Sequence, residues 1–197
     1  MDTIVYKIGN NLYVNLTNRC TNDCDFCVRN EKSTYEGYSL WLQKEPTAEE
    51  VKNALGDISG IDEVVFCGYG EPLMRADEVM EIAAYVHSKG VKTRINTNGQ
   101  ANLFYGKGLP EKLSGLIDTV NVSLNATDAK KYDAICHSVF GEEAFAALLD
   151  FAKECVKYIP NVILSVVDVI GAEEVEKAKK LVEGIDGVKL RVREFIQ

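Results

Sequence analysis

Three cysteines, Cys20, Cys24 and Cys27, fall in a C-x3-C-x2-C spacing within Asn15-Leu16-Thr17-Asn18-Arg19-Cys20-Thr21-Asn22-Asp23-Cys24-Asp25-Phe26-Cys27. Soft thiolates this close together select zinc or an iron–sulfur centre. A structural zinc or an ordinary ferredoxin cluster takes four protein ligands, and no fourth cysteine or histidine lies nearby in sequence. Three ligands on a polynuclear centre leave one metal corner open, and an open corner is where a substrate or cofactor can coordinate. Two other uses of the same thiols stay open: a zinc loop completed by Cys67, and an iron–sulfur centre that only transfers electrons. Cys136 and Cys155 fall in helix-like segments and read as buried small hydrophobes.

Other residues suggest a ligand cavity. Phe66-Cys67-Gly68-Tyr69-Gly70-Glu71-Pro72-Leu73 ends a β-rich stretch with small residues that let backbone approach a ligand closely. Along Thr119–Leu124 and onward, Asn121, Ser123 and Asn125 share one face while Val120, Val122 and Leu124 share the other. A strand inside a parallel sheet usually buries apolar groups on both faces, so this polar row predicts a wet cavity, with a solvated sheet edge as the competing account. Asn96-Thr97-Asn98-Gly99 closes another β-rich stretch, although Asn-Gly is also an ordinary turn. Near the end, Lys189, Arg191 and Arg193 alternate with Leu190 and Val192. They could aim a guanidinium at a carboxylate or phosphate, or merely decorate an edge strand. His87 and His137 have no partner constellation in the sequence.

These residues need a scaffold, and the chain supplies alternating strand-like and helix-like segments. Thr3–Ile8 and Leu12–Thr17 read as a hairpin around Gly9-Asn10-Asn11. Thr47 and Glu50 have capping-box spacing, with Val51, Ala54 and Leu55 on one helical face. A strand at Glu63–Cys67 precedes a helix carrying Val79, Ile82, Ala83 and Val86, a Gly90 stop and a strand at Val91–Thr97. Leu109–Gly115 reads as a short helix, Thr119–Leu124 as a strand, and Thr127–Ser138 as another short helix. Glu142–Tyr158 reads as a longer helix whose face is Phe145, Leu148, Leu149, Ala152 and Val156. Val162–Val169, a helix at Glu173–Ile185 and a strand at Val188–Phe195 complete the pattern. Eight βα repeats in a closed barrel take ~250 residues. About six in 197 predict one α/β domain over residues 1–197, a partial, open (β/α)6 TIM-like barrel with an N-terminal β-hairpin, with a doubly wound sheet as competitor. Either way the ligand belongs at the carboxyl ends of the strands.

Composition narrows the surroundings. Thirty acidic against twenty-two basic residues, a net charge of -8, make bulk nucleic acid an unlikely partner. No apolar run approaches the ~20 residues of a membrane span, and Met1-Asp2-Thr3 does not begin a signal peptide, so the expected location is cytoplasmic. Residues 29–46 are too long for a passive connection and hold the only tryptophan, Trp41. They read either as a lid or as a plug in which Leu40, Trp41 and Leu42 close the barrel end.

The cysteine triad, with Phe26 just before the last thiol, resembles the signature of the radical S-adenosylmethionine (SAM) superfamily. That resemblance implies a [4Fe-4S] cluster on Cys20, Cys24 and Cys27 whose open iron takes SAM through its methionine amino and carboxylate groups. Gly68-Tyr69-Gly70-Glu71-Pro72 resembles the family's Gly-Gly-Glu-Pro element, with Tyr69 replacing the commoner second glycine. By the same likeness Ser123 and Asn125 contact the ribose, Asn96 and Asn98 lie near cofactor or substrate, and Phe26 joins the cofactor-binding set, to which the alternation of basic residues adds Arg191. The stretches LYVNLTNRCTNDCDFCVRN, GYSLWLQKEPT, VVFCGYGEPLMR and KLRVREF resemble the TatD-linked radical SAM proteins. The resemblance implies an enzyme that reductively cleaves SAM to a 5'-deoxyadenosyl radical, which abstracts hydrogen from an unidentified substrate, a protein, peptide or small molecule. It further implies a one-electron donor of flavodoxin or ferredoxin type and a functional link to a TatD-type nuclease.

Overall fold

The hairpin forms where Gly9-Asn10 permits the turn: Val5–Ile8 (β1) pairs antiparallel with Asn11–Val14 (β2), and Gly9 takes φ +59. The computed structural model describes residues 2–31 and 34–194. From β2 onward every neighbouring pair is parallel: Glu63–Phe66 (β3), Lys92–Thr97 (β4), Thr119–Ser123 (β5), Asn161–Val167 (β6) and Val188–Arg193 (β7). The sheet runs in strict chain order from β1 to β7. Six parallel strands in sequence order behind a hairpin are the expected open, partial barrel. The expected strand end at Phe195 lies outside the described residues, as do Lys32 and Ser33 of the 29–46 segment.

Helices cover one face of the sheet. A single-turn helix, Val28–Glu31 (α1), follows the cysteines. Ala48–Leu55 (α2) starts on the expected capping box, with Thr47 Oγ1 accepting from Glu50 N–H and Glu50 accepting from Thr47 N–H. Its buried stripe is Ala48, Val51 and Leu55, whereas Ala54, expected inside, is exposed because it lies about 100° around the helix from Leu55. Ala76–Ser88 (α3) buries Val79, Ile82, Ala83 and Val86 as its periodicity requires. Each large aliphatic side chain there contributes roughly 1.5–3 kcal/mol of transfer free energy. Ala101–Phe104 (α4) and Leu109–Lys112 (α5) are single turns, and Ala129–Cys136 (α6) is capped by Asp128. In Glu143–Cys155 (α7) the buried face is Ala144, Leu148, Phe151, Ala152 and Cys155. The expected residues Phe145, Leu149 and Val156 pack against that face half-buried, because the stripe centres on Leu148, Phe151 and Ala152. Ala172–Glu183 (α8) buries Ala178 and Val182 before β7.

One apolar core lies between this helical layer and the sheet, taking in Val120, Val122 and Leu124 of β5 and Val162, Leu164 and Val166 of β6. Strand alternation turns Asn121 and Ser123 to the opposite, inner face. Since β5 pairs with β4 on one side and β6 on the other, the solvated-edge account of its polar row fails. The inner face of β5 is therefore polar. Among the described residues no helix is long and apolar enough to cross a membrane.

Candidate functional site

The loop after β2 carries Cys20, Cys24 and Cys27, and neighbouring strand ends hold it from three sides. Gly70 supports it from β3's turn: a Cβ there would stand 2.4 Å from Thr17 O and 2.5 Å from Arg19 O, so only glycine fits. Glu71 N–H donates to Arg19 O at 2.8 Å. Gly68 packs equally tightly on Asn15, whose Oδ1 would meet its Cβ at 2.0 Å. Beyond β4, Asn98 Nδ2 donates to Thr21 Oγ1 at 2.8 Å and approaches Cys20 Sγ at 3.8 Å.

A buried polar network completes the hold. Thr21 Oγ1 and Ser138 Oγ both donate to Gln100 Oε1, while Gln100 Nε2 donates to Asn22 Oδ1 at 2.8 Å and Tyr132 Oη at 3.0 Å. Asn22 Nδ2 donates to the same Tyr132 hydroxyl. The end of α6 clasps the loop backbone: Asp23 N–H donates to Cys136 O and Asp25 N–H to Ile135 O. His137, in the left-handed region at φ +46, sets Nε2 2.7 Å from Asp25 Oδ1. Gln100, Tyr132, Cys136 and His137 are missing from the sequence-based candidates; their partners are remote in the chain, and no local motif marks them.

Burial pushes the Cys20 thiol up to about 12 and raises Cys27; a thiol hydrogen bond with Cys136 and then burial raise Cys24. In the metal-free protein these are neutral thiols, and a bound cation would drive off their protons. Among the described residues no three His, Cys, Asp or Glu groups cluster tightly enough to hold one metal ion. Cys67 does not complete the loop: its thiol bonds Asn96 inside the barrel and feels Arg193 and Arg94. The zinc account that borrowed Cys67 thus loses its fourth ligand. The loop itself presents three thiols, and the thiol of Cys136, from the end of α6, lies against that of Cys24.

Glu71 is buried at 3% exposure, and its carboxylate accepts from Leu73 N–H at 3.0 Å, Thr97 Oγ1 at 2.7 Å and Asn98 N–H at 2.7 Å. Burial raises it to about 7 despite these donors. It therefore joins β3's turn to β4's end and keeps one Oε2 lone pair for a ligand. Asn98 is tied to the loop instead, its Nδ2 donating to Thr21 Oγ1 and its Oδ1 accepting from Gln100 N–H.

Asn96, Asn121 and Asn125 differ. The side-chain oxygen of each is buried with no hydrogen-bond partner. Asn125 sits at φ +57 and donates Nδ2 to Cys136 Sγ at 3.6 Å, so its amide bridges the β5 end toward the cysteine loop with the oxygen unused. Ser123 and Phe26 are half-buried nearby on their elements. Arg191 is exposed, whereas Arg193, two residues on, is the arginine that turns inward toward Cys67 and Tyr35.

The 34–46 segment is a plug at two positions and a surface at a third. Leu40 and Leu42 are buried, with Asn15 Nδ2 donating to Leu40 O at 2.7 Å and Asn18 Nδ2 to Leu42 O at 2.8 Å. Trp41 is 47% exposed and lies edge-on to Tyr69 at 5.4 Å between ring centroids. Tyr69, the ring that replaces a glycine, is buried against Tyr6 and Leu40.

Comparison with known proteins gives the family and the fold. The chain is 32% identical over 168 residues to the protein named "Probable GTP 3',8-cyclase" of Thermococcus kodakarensis, a match covering 84% of this chain and 50% of that one. It spans half the length of that protein and 33% of the GTP 3',8-cyclase of Corynebacterium glutamicum (strain ATCC 13032). Among solved structures, Streptococcus suis SuiB bound to precursor peptide SuiA superposes with a TM-score of 0.67 at 17% identity, covering 98% of this chain and 40% of SuiB. A radical SAM methyltransferase of Sphaerobacter thermophilus gives a TM-score of 0.66 at 16% identity, covering 95% and 57% of the two chains. These two likenesses concern the fold. The profile described as "Radical SAM superfamily" matches residues 14–183, from the end of β2 through α8. The chain belongs to the radical SAM superfamily, whose chemistry uses a [4Fe-4S] cluster and S-adenosylmethionine.

Proposed function

We propose that residues 1–197 act as one radical SAM core domain that abstracts hydrogen from a substrate seated in the open barrel. The observation that carries this is the loop at β2's carboxyl end: three thiols on one loop, Cys20, Cys24 and Cys27, facing an inner wall of unpaired amides. When bound, the cluster and SAM supply one-electron cleavage to methionine and a 5'-deoxyadenosyl radical. The protein's part is to hold, orient and exclude water. Cys20, Cys24 and Cys27 ligate the cluster. Gly70 and the Glu71 turn set the loop's position, and Glu71's spare lone pair receives the cofactor's amino group. Asn125, with its amide oxygen free, and Ser123 accept and donate to the ribose hydroxyls, Phe26 lines the cofactor's path, and Asn96 stands where cofactor and substrate meet. Asn98 serves the cofactor through the loop, because its polar atoms are committed to Thr21, Cys20 and Gln100.

A barrel left open by its missing repeats suits a peptide or a small molecule. The peptide bound to SuiB supports the first, and the cyclase relative's name supports the second. Electrons come from a flavodoxin- or ferredoxin-type donor. The four stretches quoted above support the finer placement among TatD-linked radical SAM proteins, and with it a link to a TatD-type nuclease. Anaerobic reconstitution tests the reading. Four irons per chain and reductant-dependent 5'-deoxyadenosine are expected; a cluster that never cleaves SAM makes the protein an electron carrier.

A further inference from the structure

The inner wall from β4 to β7 gathers positive charge that the chain does not neutralise. Alternation puts Lys189, Arg191 and Arg193 opposite Val188 and Leu190, which pack against the helix-side core. Arg94 of β4 shares this inner face and is bound to Glu63 Oε2 at 2.8 Å. Among the described residues Lys189, Arg191 and Arg193 form no ion pair. Arg193 is the deepest of the three: its Nε is buried without a hydrogen-bond partner, and its titratable neighbours are Cys67, Tyr35, Arg191 and Arg94, none of them a carboxylate. A guanidinium desolvated without an anion is costly, and burial indeed lowers its pKa. On the same inner face, Asn96 and Asn121 offer buried oxygens that lack donors. In a chain of net charge -8, this is a local reversal of sign inside a low-dielectric cleft, which concentrates anions.

We propose that the substrate is an anion, its carboxylate or phosphate group held by Arg193 with Arg191 at the mouth, and its neighbouring hydroxyl or amide donors satisfying Asn96 and Asn121. Resting on the radical SAM reading, this names the class of molecule that the opening admits. Planar, fixed donors make arginine suited to either oxyanion.

The test uses anaerobically reconstituted protein with SAM bound. Its melting temperature is followed against inorganic phosphate and against succinate, at ionic strength held constant with potassium chloride. Phosphate or succinate should raise the midpoint above the chloride control, the stronger of the two identifying the oxyanion. The rise should vanish in Arg193→Gln and return in part in Arg193→Lys. Arg191→Gln, at an exposed position, should weaken it and serves if the deeper variant fails to fold. An equal rise in wild type and Arg193→Gln, or none in wild type, overturns the proposal. So does a tenfold loss of SAM affinity in Arg193→Gln, which would give this arginine to the cofactor. An anion response without SAM cleavage sinks the radical reading and leaves the anion site. Cleavage without an anion response does the reverse.

Discussion

Two parts of the inner surface are built from the same residue types and treat them oppositely. Around the cysteine loop, Asn22, Asn98, Gln100 and Tyr132 spend their polar atoms on one another. On the wall from β4 to β7, Asn96, Asn121 and Asn125 keep buried oxygens unpaired, and Arg193 keeps a buried nitrogen unpaired. The first part completes itself without help. The second is completed only by something from outside, which is how a rigid cluster cradle and a ligand cavity differ in physical terms.

Substitutions on either side can break or sharpen this contrast. The largest effect is expected from Cys24→Ala, which should abolish iron retention after reconstitution, measured as iron per chain. Gly70→Ala comes next: its Cβ would strike two backbone oxygens of the loop, destabilising the protein by about 1–3 kcal/mol and cutting cluster occupancy together. Gln100→Ala should cost about 1–3 kcal/mol in urea unfolding, because Thr21, Asn22 and Ser138 lose a buried partner. If it cost nothing, the cradle would not be self-completing. By contrast Asn121→Val on the waiting wall should be close to neutral for the ligand-free protein, within about 0.5 kcal/mol, since it removes a group already unpaired.

Glu71 adds a pH signature. Burial raises this carboxylate from 4.5 to about 7, so its contribution to stability is complete below pH 4.5 and is lost as pH rises through 7. Unfolding free energy of the metal-free protein should fall by up to about 3 kcal/mol across that window, and Glu71→Gln should remove the slope. A slope that survives the substitution would assign the titration elsewhere.

The parts of the site that could be read from sequence are those whose chemistry is local. C-x3-C-x2-C, Gly70-Glu71 and the alternation along β5 are visible within a few residues, because loop and strand geometry act over that range. The cradle was hidden for the converse reason. Gln100 meets Tyr132, and Asn22 meets Tyr132 across 110 positions, so only the folded sheet brings them together. Cys136 reads as a small hydrophobe and is buried as one, yet its sulfur accepts from Asn125 and its thiol meets Cys24. Helix periodicity located α7 and its Leu148–Ala152 stripe, but Phe145 and Leu149 lie at the margin of that face and Phe151 at its centre. Arg191 and Arg193 share a face in any alternating strand. Which of them reaches the interior depends on depth along β7, and sequence carries no measure of that depth.

The most direct measurement is the electron paramagnetic resonance spectrum of the reduced, reconstituted protein recorded with and without SAM. A centre held by Cys20, Cys24 and Cys27 alone has an iron free to take the cofactor, so the signal should change shape and position on addition. A spectrum indifferent to SAM, or a centre with four protein ligands, would contradict the account at its foundation.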